Sequence, residues 1–145
     1  MIKQISVFLE NRPGQLAEFV RYLQKDGIDL RALSLAETES FGIARLITDD
    51  AMGSINALNE AGYICRLTDM VAVEMEDRPG ALLEILDVLG DNDINLEYTY
   101  AFLAKKTGSA VLALRVHDNE AAERLLRQKG IKPLSQDDIP VLFGG

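Results

Sequence analysis

The sequence predicts an α+β chain made of two βαββαβ units, each with an antiparallel sheet. Three observations point there. The first is an internal repeat, which has to be sought before any element is assigned. ISVFLENRPGQLAEFVRYLQKDGIDL is followed 66 residues later by VAVEMEDRPGALLEILDVLGDNDINL. The second is a helical apolar face behind each Arg-Pro-Gly turn. The third is alternating apolar stretches before and after each of those helices, the period of a strand.

At an offset of 66, Arg12 meets Arg78, Pro13 meets Pro79, Gly14 meets Gly80, Leu16 meets Leu82 and Leu23 meets Leu89. The offset then becomes 68, so that Leu46 meets Leu114 and Gly62 meets Gly130. The extra residues fall in Lys105-Lys106-Thr107-Gly108, a hairpin tip where insertion is tolerated.

In the first copy, Ile2 to Leu9 alternates as a strand. Leu16, Phe19, Val20 and Leu23 share one helix face, and Gly27 ends that helix as a left-handed cap. Ile28 to Ala36 and Phe41 to Thr48 form a hairpin around Glu37-Thr38-Glu39-Ser40. Asp49 or Asp50 caps a second helix carrying Ile55 and Leu58, Gly62 stops it, and Tyr63 to Leu67 is the last strand. The second copy repeats the series. Its first helix carries Leu82, Ile85, Leu86 and Leu89; strands follow at Ile94 to Leu103 and Ser109 to Val116; Asp118 caps the last helix. The tail from Ile131 to Phe143 is broken by Pro133 and Pro140 and is expected to form one or two short strands. Four strands with two helices over one face make the ferredoxin-like split βαβ arrangement, sheet order 4-1-3-2. The domain boundaries expected are 1–68 and 69–145, with the second strand of each unit left as an exposed edge.

Composition excludes several classes. A net charge of −8 repels phosphate backbones and anionic lipid, so neither nucleic acid nor membrane is an expected partner. No apolar run approaches the ~20 residues of a membrane span, and the N-terminus lacks the pattern of a signal peptide. Cys65 is the single cysteine and His117 the single histidine, so neither an internal disulfide nor a Cys/His metal cluster can form, and a cytoplasmic location is expected. Cys65 reads as a small apolar core residue and His117 as a solvated residue before a helix cap. No nucleophile–base pair stands out, no cofactor is implied, and the chain is expected not to be an enzyme. Asp49-Asp50 and Asp137-Asp138 read as caps and turns rather than metal ligands.

The turns carry the chemistry. Pro13 suits a first helical position, and the N–H groups of Gly14, Gln15 and Leu16 then lack helical acceptors at the positive end of the helix dipole. A carboxylate fits there. Asn11 offers an oxygen to an ammonium, and Asp77 at the equivalent place offers a full negative charge. Together these make a minimal recognition element for a free α-amino acid. Many strand–Pro–Gly–helix turns bind nothing, since proline and glycine also serve backbone geometry.

The motif [Asn/Asp]-Arg-Pro-Gly-x-Leu, at Asn11 to Leu16 and Asp77 to Leu82, combined with the duplicated βαββαβ order, resembles tandem ACT domains. These are small-molecule-binding modules of amino-acid metabolism, and the resemblance covers nearly the whole chain. It implies a non-catalytic regulatory protein that binds a free amino acid where modules meet. It implies contacts from Asn11, Pro13, Gly14, Gln15 and Leu16 in one copy, and from Asp77, Pro79, Gly80, Ala81 and Leu82 in the other. The serine-sensing version of the family carries a histidine two residues before the asparagine. Here Leu9 and Met75 stand there, which leaves the identity of the ligand open. The family's modules usually hang on an enzyme, and this chain resembles a stand-alone pair, with an enzyme of amino-acid metabolism as a possible partner. Tyr98 and Tyr100 alternate on a second strand, either packing against the helices or walling a bound side chain; Ser34 and Leu35 are the first copy's counterparts of Tyr100 and Ala101.

Edge-to-edge pairing of the two second strands within one chain fails on distance. The strands to be joined would lie about 29 Å apart at about 4.8 Å per strand step. Thr68-Asp69 and a neighbour or two span only about 10–15 Å. The expectation is therefore a homodimer paired at those edges, or strands exchanged between copies, with Ile139 to Phe143 a candidate for exchange.

Overall fold

The computed structural model describes residues 1–37, 40–105 and 108–144. The two hairpin tips expected at Glu37-Thr38-Glu39-Ser40 and Lys105-Lys106-Thr107-Gly108 fall partly outside the described residues. The chain divides into two compact units, Lys3–Thr68, and Asp69–Gly145 with Met1–Ile2. No helix among the described residues is long and apolar enough to cross a membrane.

The first unit is built from β1 (Ile2–Glu10), α1 (Gln15–Lys25), β2 (Leu30–Glu37), β3 (Phe41–Thr48), α2 (Ala51–Glu60) and the opening of β4 (Ile64–Glu76). Its strands run in the order β4-β1-β3-β2, the expected 4-1-3-2 arrangement. Ile5, Val7 and Leu9 alternate onto the helix side of β1 and pack with Phe19, Leu23, Leu46 and Leu58. Phe19 also meets Tyr63 edge to face, ring centroids 5.1 Å apart. Asp50 is the residue that caps α2, its carboxylate accepting from the Gly53 N–H at 3.0 Å. Asp49 is otherwise engaged, with Arg31 donating to its two oxygens at 2.8 and 2.7 Å. Cys65 packs against this core as expected, and burial pushes its thiol pKa up.

The second unit takes the rest of β4, then α3 (Ala81–Gly90), β5 (Leu96–Leu103), β6 (Ser109–Val116), α4 (Asn119–Gln128) and α5 (Asp138–Gly144). Its strands lie in the order β4-β6-β5. Val71, Val73, Leu112, Leu114 and Val116 form the helix-side core with Ile85, Leu89 and Leu126. Asp118 caps α4 by accepting from the Ala121 N–H at 3.1 Å. The amine of Met1 donates to the buried Glu123 carboxylate at 3.0 Å and to the Leu134 carbonyl at 3.1 Å.

Two expectations are corrected here. The first is the Thr68-Asp69 linker. β4 runs unbroken for 13 residues, from Ile64 to Glu76, so the pair sits in mid-strand. No glycine or proline interrupts that stretch, and nothing else in it breaks a ladder. The second is the tail. Only Pro133 bridges to Val73, and residues 138–144 form a helix instead of a strand. The Asp138 carboxylate accepts from the Ser135 N–H and hydroxyl, turning the chain just before the helix. Pro140 falls in the first helical turn, where a missing N–H costs nothing. Ile139 is buried, Phe143 stacks on Phe102 with centroids 5.6 Å apart, and the Lys105 N–H donates to the Leu142 carbonyl at 3.2 Å. The tail is thereby held as a helix within its own unit, which removes Ile139 to Phe143 as an exchanged strand.

Candidate functional site: the two strand-to-helix turns

The helices start two residues later than the sequence suggests, at Gln15 and Ala81. Gly14 and Gly80 are N-cap residues with φ of 81° and 90°, and Pro13 and Pro79 precede the cap. The glycines are required by this left-handed backbone, which disfavours any residue with a Cβ. The consequence is a correction to the list of free amides. The Gln15 N–H donates to the Arg12 carbonyl at 3.2 Å, and the Ala81 N–H to the Arg78 carbonyl at 3.3 Å. The first helical hydrogen bonds are Glu18 N–H to Gly14 and Glu84 N–H to Gly80. The amides of Gly14, Leu16 and Ala17, and of Gly80, Leu82 and Leu83, are the ones left without a helical acceptor.

The arginine of each turn ties the strand end to the first helical turn. Arg12 contacts Glu10 at 3.1 Å and Glu18 at 3.5 Å. Arg78 contacts Glu76 at 2.8 Å and Glu84 at 2.9 Å. Hydrogen bonds donated to Glu84, and then to Glu76, hold the Arg78 guanidinium more firmly protonated than usual. Neither guanidinium is therefore an unengaged cation for a ligand carboxylate. The signal for this strap was in the repeat itself: Glu10 and Glu18 recur as Glu76 and Glu84.

A cavity opens beside each turn, bounded by the strand before it and the end of the second strand. In the first unit Leu9, Asn11, Gln15, Leu16, Glu37 and Gly42 line a space of about 50 Å³. In the second, Met75, Asp77, Leu103, Lys105, Ser109 and Ala110 line a space of about 400 Å³. Four pairs of repeat-equivalent positions line both: Leu9 and Met75, Asn11 and Asp77, Glu37 and Leu103, Gly42 and Ala110. Ligand pockets run from roughly 300 to 1,000 Å³, so only the second cavity has that size. One lining residue of each also has a buried side-chain oxygen without a hydrogen-bond partner among the described residues, Gln15 Oε1 and Ser109 Oγ.

The remaining expected contacts separate. Pro13, Pro79, Gly80 and Leu82 are exposed around the turns. Ala81 is buried and faces a different cavity of about 440 Å³, shared with Ile85, Ile131, Asp138 and Leu142. Its rim carries four carboxylates, Glu74, Glu76, Glu84 and Asp138, against two cations, Arg78 and Lys132, an excess of negative charge that disfavours a carboxylate. Tyr98 and Tyr100 stand opposite Arg115 and Ala113, on the sheet face away from the helices. They do not line the second turn's cavity. Tyr98 instead reaches Met70, its hydroxyl 3.8 Å from the sulfur. Lys105 and Ser109 are among the lining residues that sequence reasoning missed; Ser109 comes to the turn through the pairing of β4 with β6, which places it opposite Glu76.

Fold and turns together define a duplicated α+β unit, with a cavity beside the first strand-to-helix turn of each copy. Residues 1–142 match the family model described as an ACT domain pair, and the chain belongs to that family. It is similar to a crystallised protein from Bacteroides thetaiotaomicron, with 33% identity and a TM-score of 0.87 over 95% of this chain and 94% of that one. The regulatory subunit of aspartate kinase from Thermus thermophilus, in its ligand-free form, shares the fold with a TM-score of 0.61 at 19% identity, over 87% of this chain and 91% of that one. The corresponding subunit from Thermus flavus aligns with a TM-score of 0.56 at 17% identity, over 88% and 93%. Among curated proteins, none matches the chain.

Proposed function

We propose that this chain is a non-catalytic sensor that binds a free amino acid at the cavity beside the turn. The observation that carries this reading is the equivalence of the two cavities. The same positions of the repeat line both, and one of them has the volume of a ligand site. At the second turn Asp77 suits the ligand ammonium. The Lys105 side chain, which lines the same cavity, suits its carboxylate. The first turn offers Asn11 and the Gln15 carbonyl oxygen in a smaller space.

Binding regulates only if the ligand prefers one of two states. We assign that preference to the association of modules in a homodimer through the edges of β2 and β5. Leu33 and Leu35 are exposed on β2 and Leu103 on β5. A partner enzyme of amino-acid metabolism and a cytoplasmic location complete the proposal.

Thermal-shift measurement with the twenty amino acids tests it. At a hundredfold excess over the dissociation constant, a ligand adds about 2.7 kcal/mol of stability. At least one amino acid should raise the melting midpoint by several degrees. A flat response to all twenty at millimolar concentration removes the sensor reading. Sedimentation at micromolar protein tests the dimer, which a pure monomer refutes.

A further inference from the structure

Resting on that reading, we infer that the second turn takes an amino acid with an uncharged, apolar side chain, and that Leu103 sets this preference. The argument starts from strand register. Met75 pairs with Ala110, and Ala110 pairs on its other side with Leu103. Residues directly opposite one another in antiparallel strands share a face of the sheet. Met75 packs against the helix-side core, so all three stand on that face. All three also line the second turn's cavity. The row crosses three strands and ends at Leu103, which is 82% exposed. A ligand methyl or methylene group laid on the row takes leucine surface out of water together with its own.

The polar side chains of the lining have other tasks. Asp77 and Lys105, of opposite charge, match the ammonium and carboxylate of an α-amino acid. Ser109 is the residue before Ala110, so its side chain takes the opposite face of the sheet, and its Oγ is buried. Among the described residues of the lining, no polar side chain is left for a ligand hydroxyl or carboxamide. Such a group gives up its water without a replacement, which costs affinity.

The first turn carries the same row with its chemistry changed. Leu9 pairs with Gly42 and Gly42 with Glu37, so a carboxylate stands where Leu103 does. Leu35 crowds the middle of that row: a Cβ built on Gly42 would lie 3.2 Å from Leu35 Cδ1. Leu35 also lines the cavity there, a space of about 50 Å³. In the second copy Ala101 stands in place of Leu35, and the space is about 400 Å³. One exchange, leucine for alanine, removes the crowding side chain. The other, glutamate for leucine, makes the end of the row apolar.

Calorimetric titration of the full chain with near-isosteric pairs tests the inference: L-valine against L-threonine, L-leucine against L-asparagine, and L-methionine against L-glutamine. An apolar wall discriminates against an added polar group by up to about a hundredfold, so the apolar member of at least one pair should bind about tenfold tighter or better. Leu103→Gln should bring that ratio to within about threefold, and Leu103→Met, which keeps an apolar side chain, should retain it. Ala101→Leu, which restores the crowding of the first copy, should weaken both members of the pair. Circular dichroism confirms that the variants fold. If amino acids bind but the members of every pair bind equally, if the polar members bind tighter, or if Leu103→Gln leaves the ratio intact, Leu103 does not set the preference and the sensor reading stands. If Ala101→Leu leaves affinity unchanged, the ligand lies away from this row and the inference is overturned. If no amino acid binds by calorimetry or thermal shift, both fall together.

Discussion

Glu37 and Leu103 occupy the same position of the repeat, and around them the two copies part company. Everything that makes the turn a turn is present twice: the left-handed glycine, the proline before it, and the arginine strapped between two glutamates. What would make it a binding site is present once at ligand size. The backbone frame of the motif and the ligand chemistry are therefore separable properties, and the frame persists in a copy whose cavity is small.

The largest expected difference between copies lies in their cores. Phe19 and Ile85 are repeat-equivalent and both buried, at 0% and 3% exposure. Removing a buried phenylalanine leaves a bigger cavity than removing an isoleucine, and Phe19 also loses its edge contact with Tyr63. Phe19→Ala should cost about 3–5 kcal/mol and Ile85→Ala about 2–4 kcal/mol. Urea denaturation measures both. Equal losses would show that the two cores relax around a vacancy to different extents.

The glycines come next. No atom lies within 4 Å of a Cβ built on Gly14, and at Gly80 the nearest is an Arg78 nitrogen at 3.9 Å. Substitution by alanine therefore meets backbone strain without collision, about 1–2 kcal/mol at each site. The stability losses should match in the two copies. The binding losses should not: calorimetry should show weakened amino-acid affinity for Gly80→Ala and a change of less than about twofold for Gly14→Ala. Weakening by both variants would mean that the first turn is also occupied.

How much of this was legible in the sequence follows from what each feature depends on. The elements were legible because they rest on local spacing: Leu16, Phe19, Val20 and Leu23 describe a helix face wherever the chain goes. The caps at Asp50 and Asp118 were legible because a carboxylate reaches an amide only a few residues away. The tail misled because two prolines look like breakers, while Asp138 caps Ser135 and places Pro140 where a proline is harmless. The start of the helices was shifted because proline fits a first helical position as well as the position before a left-handed glycine. Ser109 stayed hidden because it reaches the turn through strand register across β4 and β6, which no local pattern encodes. Tyr98 and Tyr100 were visible as an alternating pair, but the bulge between Leu96 and Tyr98 changes which face they take.

A smaller contrast sits at those bulges. Both second strands shift register near their start, beside Arg31 in β2 and Glu97 in β5. Arg31 binds Asp49 through two short hydrogen bonds, while the equivalents of the pair are Glu97 and His117. The hydrogen bond from Arg31 holds the Asp49 carboxyl below the ordinary carboxylate range. A carboxylate with a depressed folded pKa stabilises above its unfolded value, about 3.9, and the contribution disappears as pH falls through the folded value. Asp49→Asn should therefore cost about 1 kcal/mol at pH 7 and nothing in strong acid, where wild type and variant carry the same charge. Denaturant midpoints at pH 7, 5 and 3 measure it; a loss that stays constant down to pH 3 would assign the effect to packing.

The smallest contrast is between the straps. Arg78 holds its glutamates at 2.8 and 2.9 Å, and Arg12 holds its own at 3.1 and 3.5 Å. All six side chains are well exposed, so water and salt screen both pairs. Arg78→Ala should lower the melting midpoint slightly more than Arg12→Ala at low ionic strength, and 1 M salt should bring the two variants together. The strap matters for the sensor only if it also sets where the turn amides point. In that case Arg78→Ala weakens amino-acid binding at salt concentrations where it no longer affects stability, because a misplaced N–H loses a hydrogen bond that screening does not restore. If affinity and stability instead recover together as salt rises, the strap is only an ion pair, and the left-handed glycine alone positions the turn.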